Sequence, residues 1–279
     1  MVKLTHKNYY SPSNTALSNS KVGDYLRSPS YFFKRHILHS LDFEKTASVK
    51  VGQIVDAILS KGSIPFQVQV RKMDNAELFE SQKSMDPDNL CTQDQMEEGI
   101  ARAGAVMSEP IYSEYGKKTE FQKILQWKLP VKGKKRPIDI CGMIDALTID
   151  GTTAYIDDFK SVSEMKVSSP QRWLDNCLKM GYHRQMGAYG FMLKKMKPKL
   201  TSIICRHIVV TKHADSLYKV YPFILGKELL QFGLKQFLST IEKIVNDTTF
   251  KDPPVTWDTA SVIELNEWTK EYVTDDEDE

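Results

Sequence analysis

The middle of the chain sets the strongest limit on the fold, because the spacing of its apolar residues changes there from helical to alternating. Alternation over residues 119–129, 138–149 and 152–162 predicts three strands. The basic turn PVKGKKRP joins the first strand to the second, and a tight turn at Asp150 and Gly151 joins the second to the third. Strands joined by such short turns pair in an antiparallel meander, so we expect the chain to contain a sheet.

Helical patterns lie on both sides of this meander in the sequence. Apolar periodicity and capping residues predict helices from Ser20, after Pro29, over 48–60, after Thr92, from the Ser169–Pro170 cap to about Lys197 with a break at Gly181, and over 227–246. Two more strands are predicted over 201–211 and 217–225. The expected fold class is α/β (α+β), with a central mixed sheet that contains the meander and is flanked by helices.

Charge is distributed unevenly along the chain. The net charge is +2, and removal of the five acidic residues 275–279 raises it to +7. A mildly basic body suits a polyanionic partner. The acidic tail is expected to be solvated and disordered, with competition for a basic groove as the alternative. The predicted organisation is an irregular lead-in over 1–19, a single domain over 20–273 and the acidic tail over 274–279.

Composition argues against several classes of protein. The first twenty residues contain no apolar run of the kind found in secretory signals, and no stretch is long and apolar enough to span a membrane. The four cysteines are far apart and form no CxxC pair, so a zinc or disulfide framework is not expected. We therefore expect a cytoplasmic protein in a reducing compartment.

Candidate catalytic residues concentrate in the second and third strands. Alternate side chains of a strand share a face, so Asp158 and Lys160 are expected to project together while Asp157 and Phe159 point to the other side. Asp145 lies on the preceding strand, across the tight hairpin, and should come close to Asp158. The pattern thus predicts two carboxylates and an ammonium on one side of the sheet.

Such a group of side chains suits hydrolysis of a phosphodiester. Carboxylate oxygens, and the backbone carbonyl of Phe159, are ligands that Mg²⁺ or Mn²⁺ prefers. A bound cation polarises the phosphate, and Lys160 could position or deprotonate water or stabilise negative charge in the transition state. The alternative for Lys160 and Asp158 is a structural salt bridge at the end of a strand.

Three segments in a fixed order extend this pattern. The stretches GMIDAL, AYIDDFKS and GYHRQMGAYGFML resemble the PD-(D/E)XK nuclease superfamily, in particular its RecB-like and RecE-like exonuclease branch. In that pattern an aspartate follows a glycine on one strand, as Asp145 does here, and the next strand carries acid-x-lysine, as Asp158 and Lys160 do. Ile144 stands where many members have proline. The resemblance implies a restriction-endonuclease-like core.

The resemblance also extends to flanking helices. Gln185 and Tyr189 match a Gln-x-x-x-Tyr helix motif, with Tyr182 one turn earlier, which in the family lies over the active site and helps bind the DNA backbone. The segment VGQIVDAIL resembles a family helix in which many members have histidine where Asp56 stands. Asp56 is therefore either a further metal ligand or a polar residue on a solvent-facing surface.

Further residues are candidates for contacts with DNA. The turn between the first two strands carries Lys132, Lys134, Lys135 and Arg136, which could hold phosphates or form a solvated hairpin tip. Additional candidates in the helical region are Arg172, Trp173, His183 and Arg184. Trp173 could stack on a base or pack in the interior. The stripe of Tyr182, Met186, Tyr189 and Leu193 is equally compatible with ordinary packing.

Together these features predict a Mg²⁺-dependent DNA exonuclease, with Mn²⁺ as a substitute, of the recombination, repair or replication type found in phages and bacteria. A structure-specific or single-strand nuclease of the same superfamily, or an inactive DNA-binding protein on that fold, are the alternatives. DNA is the expected partner. A recombination or single-strand-binding protein is a candidate second partner, and a homo-oligomer is a candidate assembly.

One subgroup of the superfamily holds an iron–sulfur cluster through one early and three late cysteines. RSPSYFF has serine at the early position and no late triplet exists, so no cluster is expected.

Overall fold

A five-stranded sheet forms the centre of the protein in its computed structural model, which describes residues 3–41, 46–70, 73–82, 84–113, 116, 118–213 and 217–252. The strands lie in the order β3, β4, β5, β6, β7, and all neighbours are antiparallel except β5 and β6. The bounds are β3 Thr119–Leu129, β4 Ile138–Asp150, β5 Thr153–Ser163, β6 Ser202–Lys212 and β7 Tyr218–Ile224. The predicted meander and mixed sheet are confirmed.

Helices cover both faces of the sheet. Their bounds are α1 His6–Tyr9, α2 Asn19–Arg27, α3 Pro29–Phe32, α4 Ala47–Leu59, α5 Ala76–Gln82, α6 Gln93–Ser108, α7 Pro110–Ser113, α8 Pro170–Met180, α9 Tyr182–Met196 and α10 Lys227–Asn246. A π-helical turn, Phe33–Ile37, follows α3, and 3₁₀ turns occupy Pro87–Asn89 and Glu164–Lys166. Apolar residues of α9 and α10 form the core on one face of the sheet, and those of α4 and α6 form the core on the other.

Local signals in the sequence place the helix ends where they were expected. The Thr92 side chain accepts a hydrogen bond from the Gln95 amide, and the Gln95 side chain accepts one from the Thr92 amide, which forms a capping box. Ser169 caps α8 ahead of Pro170. Gly181 adopts a left-handed conformation, φ 71°, which ends α8 and directs the chain into α9.

The segment between α4 and α6, whose sequence gives no clear pattern, contains little regular structure. Two-residue strands, β1 Gln67–Val68 and β2 Leu90–Cys91, pair in parallel beside α5. No helix in the described ranges has the length and apolar character needed to cross a membrane.

The described part of the lead-in, residues 3–19, contacts the sheet. The Leu17 amide donates to the Asp139 carbonyl at 2.9 Å, and the Cys141 amide donates to the Leu17 carbonyl at 3.0 Å. Leu4 and Leu17 are buried. Residues before the predicted boundary at residue 19 therefore pair with β4, and the boundary itself stays a prediction. The predicted tail over 274–279 lies outside the described residues.

Candidate active site

Strands β4 and β5 separate part of the way along their length. Their ladder runs from Asp150 opposite Thr153 to Ala146 opposite Asp157 and ends there, while β5 remains paired with β6 as far as Ser163. The strands therefore leave a gap, which we call the split, beyond Ala146 and Asp157. Each strand carries an aspartate at the next position into this split.

The backbone around Asp145 is distorted on its other side as well. The β3–β4 ladder is interrupted at Gln122, which adopts a left-handed conformation, φ 51°, opposite Asp145. Ile144 packs in the core beneath α9, whereas Ala146 packs in the core beneath α4 and α6. In a regular strand, residues two apart face the same side of the sheet. Ile144 and Ala146 face opposite sides, so the alternation of β4 is broken at Asp145. The Asp145 Oδ2 atom accepts a hydrogen bond from the Phe159 amide at 2.9 Å.

Asp158 and Lys160 project from the same face of β5, as strand alternation predicts. Lys160 Nζ forms an ion pair with Asp158 Oδ2, and the Gln185 amide nitrogen donates to Asp158 Oδ1 at 2.9 Å. The same amide nitrogen donates to the Tyr189 hydroxyl at 3.0 Å, while Lys160 Nζ donates to Gln185 Oε1 at 3.5 Å. Gln185 thus connects α9 to both charged groups of β5.

Asp157 and Phe159 point to the opposite face. Arg206 on β6 donates from Nε to Asp157 Oδ1 at 2.6 Å and from Nη2 to Asp157 Oδ2 at 2.9 Å. Both side chains of this bidentate pair are buried. Phe159 packs in the core beneath α4 and α6. The two neighbouring aspartates of β5 therefore have different surroundings: Asp157 has a structural counter-charge, and Asp158 faces the split.

Asp56 on α4 joins these groups from the other side of the sheet. Burial raises its pKa from the ordinary value of 3.8 to about 7, with Lys160 lowering and Asp158 raising it further. The pKa of Asp145 is also raised, first by burial and then by the charges of Asp158 and Asp56. Burial lowers the pKa of Lys160, but Asp158 and Asp145 outweigh this effect and the pKa is raised. Three carboxylates and one ammonium therefore share one electrostatic environment.

These carboxylates are not arranged as a closed cation cage. Across the described parts of the chain, no three His, Cys, Asp or Glu side chains are grouped tightly enough to hold a metal ion. The Asp158 oxygens contact Lys160 and Gln185, and Asp145 contacts the Phe159 amide. The donor set nevertheless fits a hard divalent cation, because it consists of carboxylate oxygens, and the pKa values of Asp56 and Asp145 are raised first by burial and then by neighbouring carboxylates.

A pH-dependent stability follows from the carboxylate of Asp56. Between about pH 4 and pH 7 the folded protein retains a proton that the unfolded chain has released, so the free energy of unfolding without divalent cations should fall as pH rises. The raised pKa of Asp145 acts with the same sign. At pH 8 in EDTA, Asp56→Asn should exceed the wild type in unfolding free energy by on the order of 2 kcal/mol.

Denaturant titrations at pH 5 and pH 8 measure this difference. The gain from Asp56→Asn should shrink at pH 5, where the wild-type carboxyl is largely protonated in the folded state. An equal effect at both pH values would show that Asp56 titrates normally. Asp74→Asn, at an exposed carboxylate ahead of α5, serves as the control for a general change of charge.

A basic pocket of about 430 Å³ adjoins the split. Tyr10 lines the pocket, and local burial of its hydroxyl together with the charges of Asp145 and Asp56 raises its pKa to about 12, so the pocket lies near the carboxylates. The side chains that give the pocket its polar character are Ser18, Ser20, Lys21, Arg35, His36 and His39. Sequence reasoning did not assign these residues individually. The sequence feature that indicates this pocket is the basic segment FFKRHI. Within it, Arg35 contacts Asp24 at 2.9 Å and His36 contacts Asp24 at 2.7 Å.

Several residues expected to contact DNA have other positions. Arg184 is buried and donates from Nε to Asn19 Oδ1 at 2.8 Å, because α9 turns this side chain towards α2. Trp173 and His183 are also buried, so neither presents a surface for a base or phosphate. Arg172 is exposed. The buried Tyr189 hydroxyl accepts from Gln185, which is a contact within the site.

The basic turn lies away from the carboxylates. Lys132, Lys134, Lys135 and Arg136 are exposed at the tip of the β3–β4 hairpin. Asp145 lies seven residues along β4 from its first residue, Ile138, which at about 3.3 Å per residue corresponds to roughly 20 Å. The turn is thus an exposed hairpin tip at a distance from the site, and a role in holding phosphates stays a prediction.

Tyr182, at the start of α9, contacts Lys160. Lys160 Nζ lies 4.5 Å from the centre of the Tyr182 ring, and the ring also contacts Trp173 and His207. His207 is fully buried, and burial lowers its pKa to about 4, so this ring is neutral near pH 7. Tyr182 lies one turn before Gln185 on α9, and its ring faces Lys160.

Comparisons with known proteins bear on this arrangement. Residues 16–246 match the PD-(D/E)XK nuclease superfamily. No curated protein matches the chain. A solved structure of a candidate exonuclease from Eubacterium rectale is similar over 88% of this chain and 86% of that one, with a TM-score of 0.60 and 14% identity. The structure of SSO0001, at a TM-score of 0.32 and 12% identity over 82% of this chain and 84% of that one, is too dissimilar to support an inference.

The likeness to the Eubacterium rectale protein establishes a shared fold and, at this identity, no more. It confirms the expected architecture of a mixed sheet flanked by helices. The sequence match spans α2 to α10 and contains every residue placed at the split, from Asp56 to Tyr189. The chain therefore belongs to the PD-(D/E)XK nuclease superfamily.

Proposed function

We propose that the protein is a metal-dependent DNA exonuclease of the RecB-like and RecE-like branch, which hydrolyses phosphodiester bonds from DNA ends. The convergence of Asp56, Asp145, Asp158 and Lys160 at the split between β4 and β5 carries this proposal. A binding protein would gain nothing from carboxylates that repel phosphate, whereas a hydrolase needs them to hold a cation. The alternative of a structural Lys160–Asp158 salt bridge does not account for the two further carboxylates.

Mg²⁺, with Mn²⁺ as a substitute, is the cation that the donor set suits. Asp145, Asp158 and the Phe159 carbonyl would hold it, with Asp56 as a further ligand. When bound, such a cation polarises a phosphodiester and promotes attack by water. Burial, and after it the neighbouring carboxylates, raise the pKa values of Asp56 and Asp145 and so disfavour their charged forms, and the positive charge of the ion would offset this effect.

The chain's own groups perform the remaining tasks. Asp158 and Asp145 raise the pKa of Lys160 more than burial lowers it, so its ammonium is placed to donate to negative charge that develops on the phosphate. Gln185 fixes the orientation of Asp158 through its amide nitrogen and is itself aligned by the Tyr189 hydroxyl. This network holds the side chains of Asp158 and Lys160 in a fixed orientation on the same face of β5.

The basic pocket gives the DNA a path to the site. Lys21, Arg35 and His39 line it together with Tyr10, whose pKa is raised in part by the charges of Asp145 and Asp56. Contacts of this type bind phosphates irrespective of sequence, as an enzyme that degrades DNA from an end requires. The shared fold of the Eubacterium rectale candidate exonuclease agrees with end-directed action. We place this activity in cytoplasmic recombination, repair or replication of a bacterium or phage.

Digestion of matched DNA substrates tests the proposal. Purified protein should release nucleotides or short products from linear DNA in Mg²⁺ or Mn²⁺, leave covalently closed circles intact, and lose all activity in EDTA. End-labelled single- and double-stranded substrates then show strand preference. Rapid cutting of circles would exclude the exonuclease while keeping the nuclease, and full activity in EDTA would exclude the metal mechanism. Inactivity on every substrate with retained DNA binding would favour a binding protein.

A further inference from the structure

An aromatic surface lies directly behind the ammonium of Lys160. Lys160 Nζ is 4.5 Å from the centre of the Tyr182 ring. Cation–π attraction acts within about 6 Å of a ring centroid and is strongest where water is excluded. The Lys160 side chain is only 15% exposed, and Tyr182 is partly buried. This contact therefore has the geometry and the low solvent access that make such an attraction effective.

The Tyr182 ring is held in place from behind. Trp173 lies 5.9 Å from it at an interplanar angle of 31°, and His207 meets it at 5.8 Å with an angle of 73°. Trp173 in turn stacks on Phe223 of β7 at 5.5 Å. Trp173 and His207 are buried. Residues of α8, β6 and β7 thus fix the orientation of the ring.

The backbone supplies a reason for this placement. Gly181, in its left-handed conformation, ends α8 and makes Tyr182 the first residue of α9. Gln185 follows one turn later on the same face and accepts from Lys160 Nζ. The first turn of α9 therefore offers Lys160 two neutral partners, a ring face and an amide oxygen.

We propose that Tyr182 is a positioning residue, whose ring face holds the Lys160 ammonium towards the split between β4 and β5. The proposal rests on the proposed function, in which Lys160 stabilises charge on the phosphate. Asp158, the charged partner of Lys160, is also a candidate metal ligand, so its attraction for the ammonium is shared with the cation. The ring face has no such second role. Tyr182 is accordingly a support for Lys160 and not a contact to DNA.

Two substitutions separate the ring from the hydroxyl. Tyr182→Leu removes the ring and should lower kcat by about tenfold to a hundredfold, because a displaced catalytic group costs rate at this scale. The KM for DNA should stay within about threefold of wild type. Tyr182→Phe keeps the ring and should restore kcat to within about threefold of wild type. A raised KM with unchanged kcat in the leucine variant would overturn the proposal in favour of a DNA contact.

A graded substitution keeps the shape of the ring and changes only its electrostatics. Phenylalanine analogues with increasing numbers of ring fluorines, incorporated at position 182, progressively weaken the negative potential of the face. The kcat should fall in step with fluorination. A flat series would show that the ring serves only packing and would overturn the proposal. This series decides the question even if Tyr182→Leu fails to fold.

A readout that needs no catalysis separates failure of this inference from failure of the proposed function. In protein labelled with ¹³C-lysine, the ε-methylene protons of Lys160, assigned with Lys160→Arg, should resonate upfield through the Tyr182 ring current and lose this shift in Tyr182→Leu. An ordinary shift in the wild type would overturn the placement of the ring. If the wild type is inactive but shows the shift, the proposed nuclease function is rejected and the contact between Lys160 and the Tyr182 ring is supported.

Discussion

Replacement of Lys160 by methionine should lower the turnover number on DNA by about 10²–10⁴-fold and weaken DNA binding by less than about tenfold. Methionine keeps most of the length of the side chain and removes the charge. Lys160 contacts Asp158, Gln185 and the Tyr182 ring, all within the site. Affinity for DNA, in contrast, comes from many phosphate contacts, of which one ammonium contributes a small part. The loss should therefore fall on kcat.

The control for this variant is another lysine paired with an aspartate. Lys118 donates to Asp150 at 2.8 Å, and both side chains are about 70% exposed at the end of β4 remote from the basic turn. Lys118→Met should leave both kcat and affinity unchanged, because exposed ion pairs contribute little. Single-turnover digestion and equilibrium binding in Ca²⁺ measure the two quantities separately. Equal losses of binding and cleavage in Lys160→Met would make Lys160 a phosphate anchor.

Features set by neighbouring residues could be predicted from the sequence. The strands β3, β4 and β5 follow directly from alternation, and the ends of α6 and α8 follow from Thr92 and Ser169, because capping depends on atoms three residues apart. The common face of Asp158 and Lys160 follows in the same way from the two-residue repeat of a strand. These are local consequences of backbone geometry.

Features that depend on distant segments could not be predicted with the same certainty. Asp56 is nearly ninety residues from Asp145, and only the packing of α4 against the sheet brings their charges together. The sequence suggests that Arg184 is an exposed helix residue. In the structure its guanidinium donates to Asn19 of α2, and Gly23, which has no side chain, leaves space for it. Helical periodicity shows which residues share a face but not which element covers it.

The split between β4 and β5 cannot be predicted from strand alternation alone. A regular hairpin would pair Asp145 with Asp158, and two facing carboxylates in a ladder would repel each other. Instead the strands separate, and the Leu17 backbone pairs with Asp139 and Cys141 along the edge of β4. The lead-in therefore stabilises an edge that the divergence of β5 leaves open. Nothing within the meander indicates which distant segment does this.

Adjacent aspartates of β5 should respond in opposite ways to the same substitution. Asp157→Asn is expected to lower the free energy of unfolding by about 3–5 kcal/mol, because it removes one partner of a buried bidentate ion pair and leaves the Arg206 charge without its carboxylate. Asp158→Asn is expected to abolish cleavage while leaving the fold at least as stable in EDTA. Lys160 would still face the carboxylates of Asp145 and Asp56, and one source of repulsion would be gone.

Denaturant unfolding in EDTA and digestion of linear DNA in Mg²⁺ measure the two effects. The double variant Asp157→Asn, Arg206→Gln is the control for burial, since removal of both charges should recover part of the lost stability. Residual activity of folded Asp157→Asn should remain near that of the wild type, because the Asp157 carboxylate faces away from the split. A stable, inactive Asp157→Asn beside an unstable, active Asp158→Asn would reverse the assigned faces of β5 and remove Asp158 from the proposed site.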